Sequence, residues 1–189
     1  MATSTYPLFV PPPELSSTAP KDWSAKQAHR YLQWLTGVLE ERTNQLLMYT
    51  AESYPERIDE VEPLLARVGA KAVDTLRAPD FSTSAQTGPQ LTDRGYALAA
   101  DLGLLVARLL LDHSNGSEKW AVLRRPKSDV FYNHPVLVGF RPVPLEPIGG
   151  SVAEANAVLR GTRNADAWQK IFSHWRAQTS VEAGGELEE

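Results

Sequence analysis

Residues 96–111 read Tyr-Ala-Leu-Ala-Ala-Asp-Leu-Gly-Leu-Leu-Val-Ala-Arg-Leu-Leu-Leu, an apolar run whose only charges are Asp101 and Arg108. A membrane span wants about 20 consecutive apolar residues, and two charges in a shorter run argue against one. The segment must instead be covered by the rest of the chain, which makes it the centre of the fold. Thr92-Asp93-Arg94-Gly95 supplies a helix start, and the apolar pattern predicts a buried central helix ending near Asp112. At about 100° per residue, Arg94, Asp101, Arg108 and Asp112 fall within about 40° of one another and form one polar seam. Arg108 and Asp112 are spaced to pair directly. Asp101 and Arg108 lie two turns apart and cannot. Burial of an unpaired charge is costly, so the seam reads as an exposed strip, or as charges answered by another helix, rather than as a catalytic pocket.

Other segments supply helices to cover this one. Ser24 and Gln27 have capping-box spacing, and Ala28, Tyr31, Leu32, Leu35, Val38, Leu39 and Leu46 follow helical periodicity to about Thr50. A second helical pattern runs over 57–76, with Pro63 tolerable near its start, and residues 79–90 read as loop. Ser151 with Glu154 repeats the capping-box spacing, with Gly161 as the stop. Asn164 is the expected cap of a last helix with Trp168, Ile171, Phe172 and Trp175 in one dense stripe.

Between the third and fourth of these helices the periodicity changes. Residues 120–124 and 136–140 are short, β-branched and bounded by proline, which predicts strands. The expected fold is therefore mainly α (an α+β class): a bundle of about five helices with one small β-hairpin at about 119–141. Residues 1–22 are proline-rich yet carry Tyr6, Leu8, Phe9, Val10 and Leu15, which suggests an extended arm lying on the body. Residues 23–178 form the expected single helical domain, and 179–189 an acidic, frayed tail. At 189 residues about 70% of the chain's surface can be buried, enough for one core without staples.

Composition excludes several chemistries. With no cysteine, disulfides, thiolate nucleophiles and cysteine-ligated metals are absent. The four histidines, His29, His113, His134 and His174, share no helix at ligand spacing, so no metal site is expected. Phosphate-loop, dinucleotide and nucleophile-elbow motifs are missing, so no cofactor is expected. Gly149-Gly150 before Ser151 reads more readily as a turn into a helix than as an anion cradle. A formal charge of −4 gives no general attraction to nucleic acid or anionic lipid. The N-terminus lacks a basic, uninterrupted signal segment, which points to a cytoplasmic protein. The excess of Arg over Lys and the many alanines suggest a bacterial source.

The stretch 124–135 carries most of what remains. Arg124, Arg125 and Lys127 form a basic spot, and Phe131 and Tyr132 follow as aromatic anchors of the kind that dominate protein interfaces. Asp129, Tyr132 and His134 are capable of acid–base work, and long loops often carry function. A plainer reading has Val130 and Phe131 plugging the core, with Asp129 and Asn133 making side-chain turns. The leading expectation is a non-catalytic protein that binds another protein through Arg124, Arg125, Lys127, Phe131 and Tyr132, as an immunity-type inhibitor or adaptor would. The alternative is a small cofactor-independent enzyme with a cleft near 125–135, using Asp129, Tyr132 or His134. A concave pocket with perturbed ionisable groups favours the second, and an exposed aromatic loop favours the first.

Overall fold

A computed structural model describes residues 5–179 apart from 17, 87 and 115. The described chain is mainly helical with two small antiparallel hairpins. A short helix α1 (Pro13–Ser16) lies in the proline-rich arm. The longer helices are α2 (Ala25–Tyr49), α3 (Val61–Leu76), α4 (Asp93–Asp112), α5 (Pro147–Leu159) and α6 (Ala167–Ala177). Strands β1 (Ser82–Ala85) and β2 (Gly88–Leu91) pair between α3 and α4, and β3 (Lys119–Val122) and β4 (Pro135–Val138) pair between α4 and α5.

Helix α4 is the buried centre that its composition demands, touching α2, α3, α5 and α6. All but a few of its residues are inaccessible, from Ala97 to Ala107 without interruption. Gly103 allows α5 to cross closely: a Cβ there would stand 2.3 Å from the Pro147 carbonyl oxygen. Ser151 completes this crossing, donating from Oγ to the Ala99 carbonyl at 2.6 Å and accepting from Trp168 Nε1 at 2.7 Å. Three helices are thereby joined through one buried hydroxyl. Among the described residues no helix is long and apolar enough to cross a membrane.

The capping box at Ser24 and Gln27 forms as the spacing predicts, and Thr92 caps α4 through the Gly95 amide. Three expectations about element boundaries are corrected. Residues 79–90 are not simply loop, because β1 and β2 pair in register from Ser82–Leu91 to Ala85–Gly88. These strands lack apolar alternation and are half-buried or exposed, so periodicity could not reveal them. Helix α5 starts five residues earlier than the Ser151 cap implied: Glu146 is its N-cap and Pro147 its first residue. Helix α6 begins after Asp166 rather than Asn164. In its stripe Trp168 and Phe172 are fully buried, but Ile171 and Trp175 only half so.

The polar seam takes the second of its two expected forms at Asp101, where the charge is answered by another helix. That carboxylate is fully buried and is answered by Arg42 of α2, from Nε at 2.8 Å and Nη2 at 2.7 Å. Further along, Arg108 does approach Asp112 (3.8 Å), and it also donates to Thr43 Oγ1 at 2.8 Å. The arm's described residues lie on the body in part. Tyr6 and Leu15 are buried and Phe9 half-buried, while Leu8 and Val10 face solvent. The expected acidic tail falls, beyond Thr179, outside the described residues.

Candidate functional site

The 125–135 link is ordered by its own turns. The Asp129 carboxylate accepts from the Phe131 amide at 2.8 Å, and Asn133 N donates to the Leu123 carbonyl at 2.7 Å. Burial inside this link runs opposite to the plain expectation: Val130 is 79% exposed and Tyr132 only 8%. Arg124 is half-buried, stacked over the Tyr132 ring and hydrogen-bonded to Asn133 Oδ1. Arg125 and Lys127 are exposed and form no ion pair among the described residues. Phe131 is half-buried, its ring 5.8 Å from that of His134 and against Gly149 in the first turn of α5. Of the five expected partner contacts, then, Arg125 and Lys127 stand free. Tyr132 is withdrawn into the core and cannot anchor a partner from this conformation.

Of the three residues expected for acid–base work, His134 lines a cavity. Asp129 is spent on its turn and Tyr132 is buried beneath Arg124. The cavity, about 270 Å³, lies where the arm crosses between α2, α4, α5 and the β3–β4 hairpin. Its size lies just below the usual range for ligand pockets, roughly 300–1,000 Å³. Trp23, Tyr31 and Tyr96 give it aromatic walls; Ile148 and Val152 of α5 line another side; Pro11, Leu15 and Pro20 bring the arm across it. His134 and Glu146 complete the lining.

Helix grammar places each of these groups. Trp23 directly precedes the Ser24 cap, and its indole N–H donates to the Thr18 carbonyl at 3.1 Å. Tyr31 sits two turns into α2 and its ring lies 4.9 Å from that of Trp23. Tyr96 is in the first turn of α4 and remains partly exposed at the cavity's edge. Glu146 is buried because it caps α5, one carboxylate oxygen accepting from the Gly149 amide. Its other oxygen is 3.7 Å from His134 Nδ1, an ion-pair distance if the imidazole is protonated and too long for a hydrogen bond.

Burial pushes the Tyr31 phenol well above its ordinary pKa, with Tyr96 and then Glu146 adding to the shift. Tyr96 is raised too, first by burial and then by the Glu146 charge. Both phenols therefore stay protonated near neutral pH and able to donate. The first turn of α5 cannot serve as an anion cradle, because Glu146 already fills that position with its own carboxylate. Among the described residues no group of His, Asp or Glu is arranged to hold a metal ion.

Sequence reasoning nominated His134 but missed Glu146, Tyr31, Tyr96 and Trp23. The signal for Glu146 was present: an acidic residue followed by Pro147 is a good helix start. Reading Gly149-Gly150-Ser151 as the entrance shifted the helix and left Glu146 in a loop. No family model matches the chain, and no curated protein or solved structure shows significant similarity to it.

Proposed function

We propose that this chain binds a small organic molecule in the cavity beneath its N-terminal arm. The observation that carries the reading is a concave aromatic and aliphatic wall with two polar groups, Glu146 and His134, set close together within it. Such a pairing of apolar surface with few convergent polar groups is the usual form of a ligand site. The same His134–Glu146 pair is what a proton-transferring enzyme would need, and it replaces Asp129 and Tyr132 in the enzymatic version of this proposal. The composition fits a cytoplasmic bacterial protein, and neither nucleic acid nor membrane enters the reading.

The test is a ligand-observed NMR screen of small fragments against the full chain and a Val152→Phe variant. Val152 lines the cavity and is half-buried, so a phenyl ring there fills space without deleting core. Fragments that bind the natural chain and are expelled by Val152→Phe support the reading. Binding that ignores the substitution, or no binding at all, overturns it.

A second reading, a protein contact at the loop tip, is favoured by exposed Val130 between unpaired cations and the body. It uses Arg125, Lys127 and Val130 in place of the buried Tyr132. A partner retained by the natural chain and lost on combined Arg125→Glu, Lys127→Glu and Val130→Asp, at unchanged melting temperature, would support it. Retention by the variant would remove it.

A further inference from the structure

Resting on the small-ligand reading, we infer that the cavity selects an organic cation, an alkylammonium group held among Trp23, Tyr31 and Tyr96 with Glu146 as its counter-ion. Charge is the first argument. Of the residues lining the cavity, Glu146 alone carries a full charge irrespective of histidine protonation, and no Lys or Arg is among them. The carboxylate is 7% exposed; one oxygen caps α5 through the Gly149 amide, and the other has no partner closer than His134 at 3.7 Å and is left for an occupant of the cavity. A buried carboxylate in that state favours a positive occupant strongly, because water is too scarce to screen it.

The walls give the second argument. A cation is attracted to the faces of Trp and Tyr rings, and aromatic enclosures with a nearby carboxylate are a general solution to binding quaternary ammonium groups. Here the Trp23 and Tyr31 rings lie 4.9 Å apart at 45°, and Tyr31 is close enough to Tyr96 and Glu146 for both to raise its phenol further. An anion would meet the Glu146 charge, and the helix amide that could receive it already donates to Glu146. A neutral apolar molecule would fit the walls and leave the carboxylate unanswered.

Choline and its uncharged carbon isostere 3,3-dimethylbutan-1-ol separate these cases, since they share shape and differ in charge. Calorimetric titration of the full chain, with the Trp23 indole N–H resonance as site reporter, should give choline at least about tenfold tighter binding than the isostere. In Glu146→Gln that preference should fall below about threefold. Should Glu146→Gln fail to fold for want of its helix cap, Tyr96→Leu at the cavity's edge takes its place. That variant should weaken choline about tenfold and leave the isostere nearly unchanged. Equal binding of the two probes, or a choline preference that survives both substitutions, overturns the inference. Neutral fragments expelled by Val152→Phe, with choline ignored, overturn the cation and leave the small-ligand reading standing. If nothing sensitive to Val152→Phe binds, that reading falls as well.

Discussion

Arg42 of α2 grips Asp101 of α4 through two nitrogens, Nε to Oδ1 at 2.8 Å and Nη2 to Oδ2 at 2.7 Å, in the middle of the protein. The Tyr6 hydroxyl donates to Oδ2 of the same carboxylate at 2.6 Å. Two of the guanidinium's three remaining hydrogens go to the carbonyls of Leu8 (2.9 Å) and Pro7 (3.3 Å). One buried ion pair thus ties two helices to the arm, and the arm in turn crosses the candidate cavity at Pro11, Leu15 and Pro20. Bidentate geometry and further hydrogen bonds to both members are what a buried pair needs to offset its desolvation.

Removing one member should be far worse than removing both. Asp101→Ala leaves a guanidinium buried without its counter-ion and should cost about 3–5 kcal/mol in denaturant unfolding. Arg42→Met combined with Asp101→Leu keeps the volume, removes both charges and should recover most of that loss. A double variant no more stable than Asp101→Ala would show that the pair contributes net attraction beyond its own burial cost.

The same carboxyl should titrate at an unusual pH. Burial pushes Asp101 from 3.8 up to about 6, while Arg42 and Tyr6 pull it back. A group whose pKa is higher folded than unfolded binds its proton more readily in the folded state. Its stabilising contribution is therefore complete below about pH 4 and is lost as the pH rises through about 6. The Asp101 carboxyl carbon resonance should show a midpoint near 6. Stability relative to Asp101→Asn should fall between pH 4 and 6 by at most about 1.4 kcal/mol per unit. A midpoint below 4 would mean that the Arg42 bonds outweigh burial.

The architecture was legible where periodicity is strong. The run at 96–111 had to be central, and Ser24, Thr92 and Gly161 marked real helix ends. Asp101 was visible as an anomaly, but its partners lie 59 and 95 residues away and only folding brings them together. The cavity was hidden for the same reason. Trp23, Tyr31, Tyr96, His134 and Glu146 come from four separate segments and have no common spacing. The polar hairpin at 82–91 escaped because backbone pairing rather than side-chain burial holds it.

Two tryptophans of α6 that look equivalent in sequence should behave differently. Trp168 is wholly buried and donates to Ser151, so Trp168→Ala should cost about 3–5 kcal/mol and leave the Ser151–Ala99 link without its third member. Trp175 is half-buried with its ring 5.3 Å from that of Phe140. Trp175→Ala should cost only about 1–2 kcal/mol and leave a cooperatively folded protein. Equal losses in thermal unfolding would contradict this division of the stripe.

Asn133 should prove the clamp on the arm's second end. It is fully buried with φ of 69°, a conformation asparagine tolerates better than most residues. Its Nδ2 donates to the carbonyls of Pro20 and Trp23, both at 2.9 Å, and its Oδ1 accepts from Arg124. Two of those bonds hold the segment that forms one wall of the cavity. Asn133→Ala forfeits all three bonds, leaving the Pro20 carbonyl with only the Trp23 amide as donor, at a cost of about 2–4 kcal/mol. For a chain of this length that is a fall of roughly 4–16 °C in Tm. Asn133→Gly restores backbone freedom and should recover only the conformational part, because the lost bonds reside in the side chain. In both variants amide exchange should quicken selectively over residues 18–23, while α4 stays protected. Unchanged exchange in that segment would mean that Leu15 and Trp23 hold the arm by apolar packing alone, with Asn133 serving only its own turn.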